Sequence, residues 1–136
     1  MALENPDIRW EHRFNNFEKT YLLLENSLKI KSPNKTEKAG IIQFYEMSFE
    51  LSWNLLKDYL EEEGYNLKSP RAAIKQAFSS GIIKDGHLWI EALEDRNLMS
   101  HTYDEEIANN VIESINTKYY PALRELFNFM KDESSK

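Results

Sequence analysis

Apolar side chains recur at helical spacing along most of the chain, and this pattern predicts its secondary structure. Between residues 7 and 30 they alternate in steps of four and three, as in a helix that packs within a bundle. The positions of this stripe are Trp10, Phe14, Phe17, Tyr21, Leu24 and Leu28. Pro6 stands just before the predicted helix, where a missing N–H does no harm. We interpret the stripe as core, since aromatic residues at this spacing are usually buried.

A second helix is predicted from about Thr36 to Glu63, and it is apolar on more than one side. Thr36 is a suitable N-cap residue, and Gly64 is placed to end the helix. A helix that is apolar nearly all round is covered on two sides. In a chain of 136 residues, the second side predicts a surface for a partner.

Polar residues on this second helix share one face, because Gln43, Glu46 and Glu50 follow each other at spacings of three and four. Polar groups within so apolar a helix are costly unless they are paired. Two interpretations stay open at this point. The face either lines a cleft, where it would contact a substrate or partner together with Trp53, or forms the solvated edge of the helix.

Three more helices are predicted, at residues 70–80, 87–100 and 104–131. Ser69 and Pro70 form a clear start for the first of them. Pro121 should kink the last one, because the ring removes an N–H and crowds the preceding turn. The tail after Lys131 is expected to fray. With no convincing strand, the prediction is a single all-α domain, an up-and-down four-helix bundle with a short additional helix.

Composition narrows the possible functions. The chain has no cysteine, which excludes a disulfide framework and a thiol nucleophile and fits a reducing cytoplasm. Its formal net charge of −6 argues against general affinity for nucleic acid. The first residues do not resemble a signal peptide, and no apolar run is long enough to span a membrane. We therefore expect a cytoplasmic protein with no membrane partner.

The chemistry of the sequence is concentrated where the last two predicted helices meet. Arg96 is expected on the last turn of one helix and His101 just beyond it, followed by Tyr103. Asp104 is a good N-cap for the next helix, although a capping box that begins at Thr102 also fits. The simplest interpretation is a helix end finished by basic residues, which favour the negative end of the helix dipole. The alternative is a functional site at a helix corner, where a cation, an imidazole and a phenol can approach one another.

Other motifs are absent or ambiguous. Lysines cluster around the first predicted loop, either as a solvated turn or as a patch that steers phosphate: Lys29, Lys31, Lys35 and Lys38.

No glycine-rich phosphate loop and no His-Glu-x-x-His pair occurs, so no cofactor or metal site is expected, although carboxylates of separate helices can bind Mg²⁺. A nucleotidyltransferase should have a Gly-Ser turn followed by two aspartates one residue apart, and this sequence has neither.

The motif Arg96-x4-His101-x-Tyr103 resembles the R-x4-H-x-Y signature of HEPN-superfamily proteins of the HepT kind. More closely, nearly the whole chain resembles the nucleotidyltransferase substrate-binding proteins, which are small helical-bundle partners of minimal nucleotidyltransferases. The likeness extends over residues 43–53, 56–60, 69–71, 94–103 and 119–121. The family name is itself an inference from fold, by analogy with the helical domain of antibiotic nucleotidyltransferases.

This resemblance implies a homodimer with the motif near the two-fold interface or a cleft, and a separately encoded transferase that uses a nucleotide and Mg²⁺. Some relatives are toxins of toxin–antitoxin pairs and act as metal-independent ribonucleases. Their active arginine and histidine correspond to Arg96 and His101. Their modified tyrosine, to which the transferase attaches adenylate, corresponds to Tyr103.

Two functional hypotheses follow. In the first, the protein is a non-catalytic subunit that docks the transferase, and Arg96 holds a phosphate or carboxylate, flanked by Asn97 and Asp104. In the second, it cleaves RNA, with His101 as general acid or base, Arg96 stabilising charge on the phosphate and Asn97 orienting a neighbouring group. We prefer the first hypothesis, because it rests on the whole chain and not on two or three residues.

Overall fold

The computed structural model describes residues 6–136, with side chains from Trp10 onward. Within that part every regular element is helical. The elements are α1 (Pro6–Leu28), α2 (Lys35–Glu62), α3 (Pro70–Ser79), α4 (Gly86–Asp95), a 3₁₀ helix (Arg96–His101), α5 (Glu105–Ser114), a π-helical turn (Ile115–Tyr119) and α6 (Tyr120–Ser134). The predicted all-α bundle is confirmed. None of the helices in the described part is long and apolar enough to cross a membrane.

Helix α1 packs antiparallel to both α2 and α6. Its ring at Phe14 stacks on Phe127 with centroids 5.7 Å apart, while Tyr21, further along, stacks on the earlier Tyr120 at 5.5 Å. The predicted stripe of α1 is buried from Trp10 to Leu24, and Leu28 is partly buried. The stripe is therefore core, as its spacing predicts.

The start of α2 differs from the prediction. Asn34, not Thr36, is the N-cap: its Oδ1 accepts from the Glu37 N–H at 2.8 Å, and the Glu37 Oε1 accepts from the Asn34 N–H at 2.9 Å. This reciprocal capping box satisfies two N–H groups at once, which a cap at Thr36 would not do. At the other end Gly64 has a φ of +103°, a conformation that favours glycine, so it ends the helix as predicted.

One side of α2 is buried in the bundle, and a second apolar side is only partly covered. Phe44, Met47 and Leu51 follow each other at spacings of three and four and therefore form one line on the helix. Phe44 and Leu51 are partly buried, whereas Met47 is 37% exposed. We call these three residues the α2 stripe, and it is the candidate for the predicted partner surface.

The predicted helix 87–100 is divided in the structure. Helix α4 ends at Asp95, and the chain continues as a 3₁₀ helix through the chemical motif. Arg96 therefore opens the tighter helix instead of lying on the last turn of α4, and His101 is its last residue. A 3₁₀ stretch often marks a strained or functional connection between helices.

The predicted last helix is also divided. Its α-helical hydrogen bonding gives way at Ile115–Tyr119 to a π-helical turn, in which the Tyr120 N–H donates to the Ile115 carbonyl. Pro121 lies two residues after the end of this turn, so the interruption predicted from proline occurs just ahead of it. The end of the helix was predicted too early, because α6 continues beyond Lys131 to Ser134.

Candidate functional site

The predicted cation and the predicted polar face of α2 meet at Glu50. Arg96 donates from Nη1 to Glu50 Oε1 at 2.6 Å, and the Trp53 indole N–H donates to Glu50 Oε2 at 2.5 Å. The Arg96 side chain is 42% exposed and that of Glu50 46%, so both groups remain accessible to solvent. A phosphate or carboxylate that binds Arg96 would have to compete with Glu50 for the guanidinium.

The other two members of the polar face behave differently from Glu50. Gln43 is exposed, whereas Glu46 is half-buried. Burial raises the pKa of the Glu46 carboxyl, because desolvation disfavours its charged form. The face is thus solvated at Gln43 and turned toward the chemical motif at Glu50.

His101 and Tyr103 lie together at the far end of the 3₁₀ helix. Their rings meet edge to face with centroids 6.2 Å apart, and Tyr103 is 82% exposed. Since a 3₁₀ helix rises by about 2 Å per residue, Arg96 and His101 stand roughly 10 Å apart along its axis. The corner therefore brings the His101 imidazole and the Tyr103 phenol close together, whereas the Arg96 guanidinium is bonded to Glu50.

Asp104 is the N-cap of α5, as predicted. Its carboxylate accepts from the N–H groups of Glu106 at 2.9 Å and Ile107 at 3.2 Å. The alternative cap at Thr102 is wrong, because the Thr102 hydroxyl donates instead to the Met99 carbonyl at 3.0 Å. The structure therefore gives Asp104 a structural role at the end of the motif.

The remaining predicted contact, Asn97, is exposed within the 3₁₀ helix. Its backbone carbonyl accepts from the Ser100 hydroxyl at 3.2 Å. An exposed amide beside Arg96 is free to contact a ligand or partner, so the structure is compatible with the predicted role.

A groove of about 360 Å³ lies beside the phenol, and we call it the Tyr103 groove. It is lined by Lys35, Lys38, Ala39, Ile42, Thr102, Tyr103, Glu105 and Ala108. Lys38 forms an ion pair with Glu105 at 3.3 Å and is only 20% exposed, whereas Lys35 is exposed. Of the four lysines noted in the sequence, Lys29 and Lys31 are exposed, and the other two line the Tyr103 groove.

Sequence reasoning missed a hydrogen bond that fixes the start of the motif. Tyr119, the last residue of the π-helical turn, donates from its phenol to Asp95 Oδ2, next to Arg96. Burial and the Asp95 carboxylate raise the pKa of the Tyr119 phenol, so it remains a donor. Tyr119 also stacks on Tyr45, whose buried hydroxyl has no partner within the described part of the chain. Pro121 indicated that the last helix is interrupted, but nothing in the sequence indicated which residue accepts the hydrogen bond from the Tyr119 phenol.

This arrangement of helices and motif can be compared with known proteins. A family described as nucleotidyltransferase substrate binding protein like matches residues 12–132. The chain belongs to this family. The predicted family is therefore confirmed, and its match covers every residue of the candidate site.

Solved structures similar to this family member share its bundle. A crystal structure of a Thermus thermophilus protein superimposes with a TM-score of 0.76 at 29% identity, covering 82% of this chain and 96% of that one. A Haemophilus influenzae structure, described as revealing the fold of a substrate binding domain of a nucleotidyltransferase, has a TM-score of 0.65 at 25% identity. It covers 93% of this chain and 99% of that one.

A curated relative of this family member carries a different name. It is a Haemophilus influenzae protein called probable ribonuclease HepT, 34% identical over 82 residues. The match covers 57% of this chain and 56% of the relative, so it spans little more than half of either protein.

Proposed function

We propose that this protein is the non-catalytic substrate-binding subunit of a two-component system whose other component is a separately encoded minimal nucleotidyltransferase. The family match over residues 12–132 supports this role, as does the similar structure described as a nucleotidyltransferase substrate binding domain. The sequence carries no transferase motif of its own, so the metal-dependent step belongs to the partner, which would bind the nucleotide and Mg²⁺.

The observation that carries the proposal is the α2 stripe. Its three apolar side chains are only partly covered, and Met47 at its centre is 37% exposed. Glu50, on the same helix, holds Arg96 at its edge and also accepts the Trp53 indole N–H. An apolar line flanked by charged and aromatic groups is typical of an interface, with an apolar centre and a polar rim.

Replacing Met47 by aspartate is expected to abolish co-purification with the proposed, separately encoded transferase, because it places a charge at the centre of the apolar contact. The measurement is a pull-down of the co-expressed pair, followed by size-exclusion chromatography. Leu22→Asp is the matched control, since Leu22 is 42% exposed on the surface of α1. We expect the control to retain the partner.

Two results would contradict this assignment. If the wild-type chain does not bind the transferase, the subunit role itself is wrong. If Met47→Asp still binds the transferase but changes from dimer to monomer, the α2 stripe serves the homodimer and the transferase docks elsewhere.

We further propose that Tyr103 is the acceptor of adenylate from the transferase, as in a toxin–antitoxin pair. Its phenolic oxygen would attack the α-phosphorus of ATP, pyrophosphate would leave and the phenolic proton would pass to solvent. Tyr103 is the most exposed large hydrophobic side chain in the described part of the chain, at 82%. Lys35 and Lys38 line the same groove, where cations can attract the phosphates of the incoming nucleotide.

The alternative function, a metal-independent ribonuclease, is supported by the exposure of both Arg96 and His101. The name of the relative, probable ribonuclease HepT, is compatible with this alternative but does not favour it. Against it, Arg96 is held by Glu50 and lies at the other end of the 3₁₀ helix from His101. A general acid–base and a charge-stabilising group must both reach the same phosphate. Within one chain Arg96 is bonded to Glu50 and the His101 ring lies against Tyr103, so a ribonuclease site would need Arg96 to leave Glu50 or a second copy to complete it.

We expect the purified protein, with Tyr103 unmodified, to leave RNA intact in the presence of EDTA. The assay compares wild type with Arg96→Ala and His101→Ala on a labelled single-stranded RNA. Cleavage by wild type that both substitutions abolish would contradict the non-catalytic role and establish a ribonuclease. Cleavage that persists in both variants would point to a contaminating nuclease.

A further inference from the structure

A second groove, distant in sequence from the motif, lies between α3 and α4, and we call it the α3–α4 groove. Its volume is about 590 Å³, within the range of small-molecule sites. Its principal lining residues are Ile74, Lys75, Phe78, Lys84, His87 and Ile90. The groove thus combines an apolar floor, an aromatic ring and basic groups.

The ring of Phe78 is exposed and yet held in place. It is 52% exposed, which is unusual for a phenylalanine. Its other side lies against the backbone of Gly86, where a Cβ would stand 2.9 Å from the Phe78 Cγ. The glycine therefore lets the ring rest directly on the first turn of α4. A fixed, open ring is a platform on which a flat ligand can stack.

The charges around this ring favour an anion. Lys75 and Lys84 line the groove with His87, and neither lysine forms an ion pair with another residue in the described part of the chain. The one carboxylate in the lining, Asp85, is engaged as the N-cap of α4 and accepts from the Leu88 N–H at 3.0 Å.

Two acidic residues further along α4 are paired with basic residues. Glu91 pairs with Lys118 at 3.0 Å, and Glu94 pairs with Arg71 at 3.4 Å. The groove is therefore a local basic site on a chain whose net charge is −6. Free lysines next to an exposed ring form an arrangement that complements a phosphate joined to an aromatic base.

We propose that the α3–α4 groove binds a nucleoside phosphate, with the base stacked on Phe78 and the phosphate neutralised by Lys75 and Lys84. The ligand is either a free nucleotide or one nucleotide of a single-stranded RNA, since both offer the same ring and the same anion. This inference rests on the proposed substrate-binding role and deepens it by naming the substrate class. The groove is separate from the residues of the motif and from the α2 stripe.

The test measures binding by the whole chain, without the transferase, of two probes: 5′-AMP and a fluorescein-labelled single-stranded oligoadenylate. Phe78→Ala is expected to weaken binding roughly five- to a hundredfold, because stacking of one base on one aromatic side chain is worth that much. Phe78→Tyr, which keeps the ring, should bind like wild type. Lys75→Glu and Lys84→Glu should weaken binding and reduce its dependence on salt.

The controls separate the groove from general effects. Lys19→Glu makes the same change of charge at an exposed position on α1, and it should bind both probes like wild type. Gly86→Ala keeps every polar group but forces the Phe78 ring to shift, so it should weaken binding as Phe78→Ala does. Circular dichroism confirms that each variant is folded.

The two probes distinguish the sources of the ligand. Binding of AMP at the groove supports a free nucleotide, and binding of the oligonucleotide alone supports an RNA strand. No binding of either probe to wild type, or binding that the Phe78 and lysine variants leave unchanged, would overturn the inference. The transferase is absent from this binding experiment. A negative result here would therefore overturn only the proposed nucleotide site, whereas a partner that does not co-purify would overturn the proposed subunit role.

Discussion

Replacing Tyr103 by phenylalanine is expected to abolish the proposed adenylylation of this protein by the proposed partner transferase. The substitution removes the only atom of the side chain that can attack the α-phosphorus of ATP. Since Tyr103 is 82% exposed, losing its hydroxyl should change stability by less than about 0.5 kcal/mol. The measurement is intact-protein mass spectrometry after incubation with the transferase, ATP and Mg²⁺.

The structure gives a reason to expect five of the other tyrosines to be poorer acceptors than Tyr103. The chain has seven tyrosines, and burial raises the pKa of five phenols: Tyr21, Tyr45, Tyr59, Tyr119 and Tyr120. A raised pKa makes the nucleophilic phenolate harder to form. Four of these hydroxyls are also engaged in side-chain hydrogen bonds, and that of Tyr45 is buried. Tyr103, in contrast, is 82% exposed, and its hydroxyl forms no side-chain hydrogen bond in the described part of the chain.

Tyr65 is the matched control, because it is 41% exposed and, like Tyr103, has a phenol at the surface. We expect Tyr65→Phe to be modified as fully as wild type. Continued modification of the Tyr103→Phe variant would show that the acceptor lies elsewhere. A transferase that modifies neither wild type nor Tyr65→Phe would contradict the proposed acceptor role altogether.

Replacing Arg13 by alanine is expected to lower the free energy of unfolding by about 3 kcal/mol. Arg13 donates from Nε to Asp58 Oδ2 at 2.6 Å, which ties α1 to α2. Asp58 is 3% exposed, so removing its partner leaves a buried charge uncompensated. The Arg13 side chain is 41% exposed, and water can enter after the substitution, which is why we place the loss at the lower end for buried pairs.

Chemical denaturation in urea, monitored by circular dichroism, measures this loss. Lys131→Ala is the control, because Lys131 pairs with Glu18 at 3.2 Å while remaining 56% exposed. A surface pair of this kind contributes roughly 0–1 kcal/mol. If both substitutions lower the free energy of unfolding by the same amount, burial of Asp58 does not increase the contribution of the Arg13 pair to stability.

Local features of the fold could be predicted well. The stripe of α1 is buried where its spacing placed it, Ser69 and Asp104 cap the helices that they precede, and Gly64 ends α2. Each of these depends on residues within about one helical turn of one another, whose relation follows from the geometry of the helix itself. The cap at Thr36 was wrong because the reciprocal pair of Asn34 and Glu37 outcompetes it.

The family, too, was recognisable from the sequence, because the motif and the flanking helices keep their spacing over nearly the whole chain. The contacts of the motif residues could not be predicted from the sequence. From the sequence alone, Arg96 could equally well bind a phosphate, bind a carboxylate or stabilise a helix end. The spacing of Arg96, His101 and Tyr103 likewise gave no indication that a 3₁₀ helix would separate the first from the other two.

The sequence by itself determined the helices, their buried faces, the family and the residue types available for chemistry, since these follow from local periodicity and composition. Only the tertiary structure decided the partners of the motif. Glu50 and Arg96 are 46 residues apart, and Asp95 and Tyr119 are 24 apart. Such contacts depend on how whole helices pack and on where the 3₁₀ and π-helical turns rotate a side chain. Helical periodicity carries no information about either, because it relates a residue only to its neighbours along the chain.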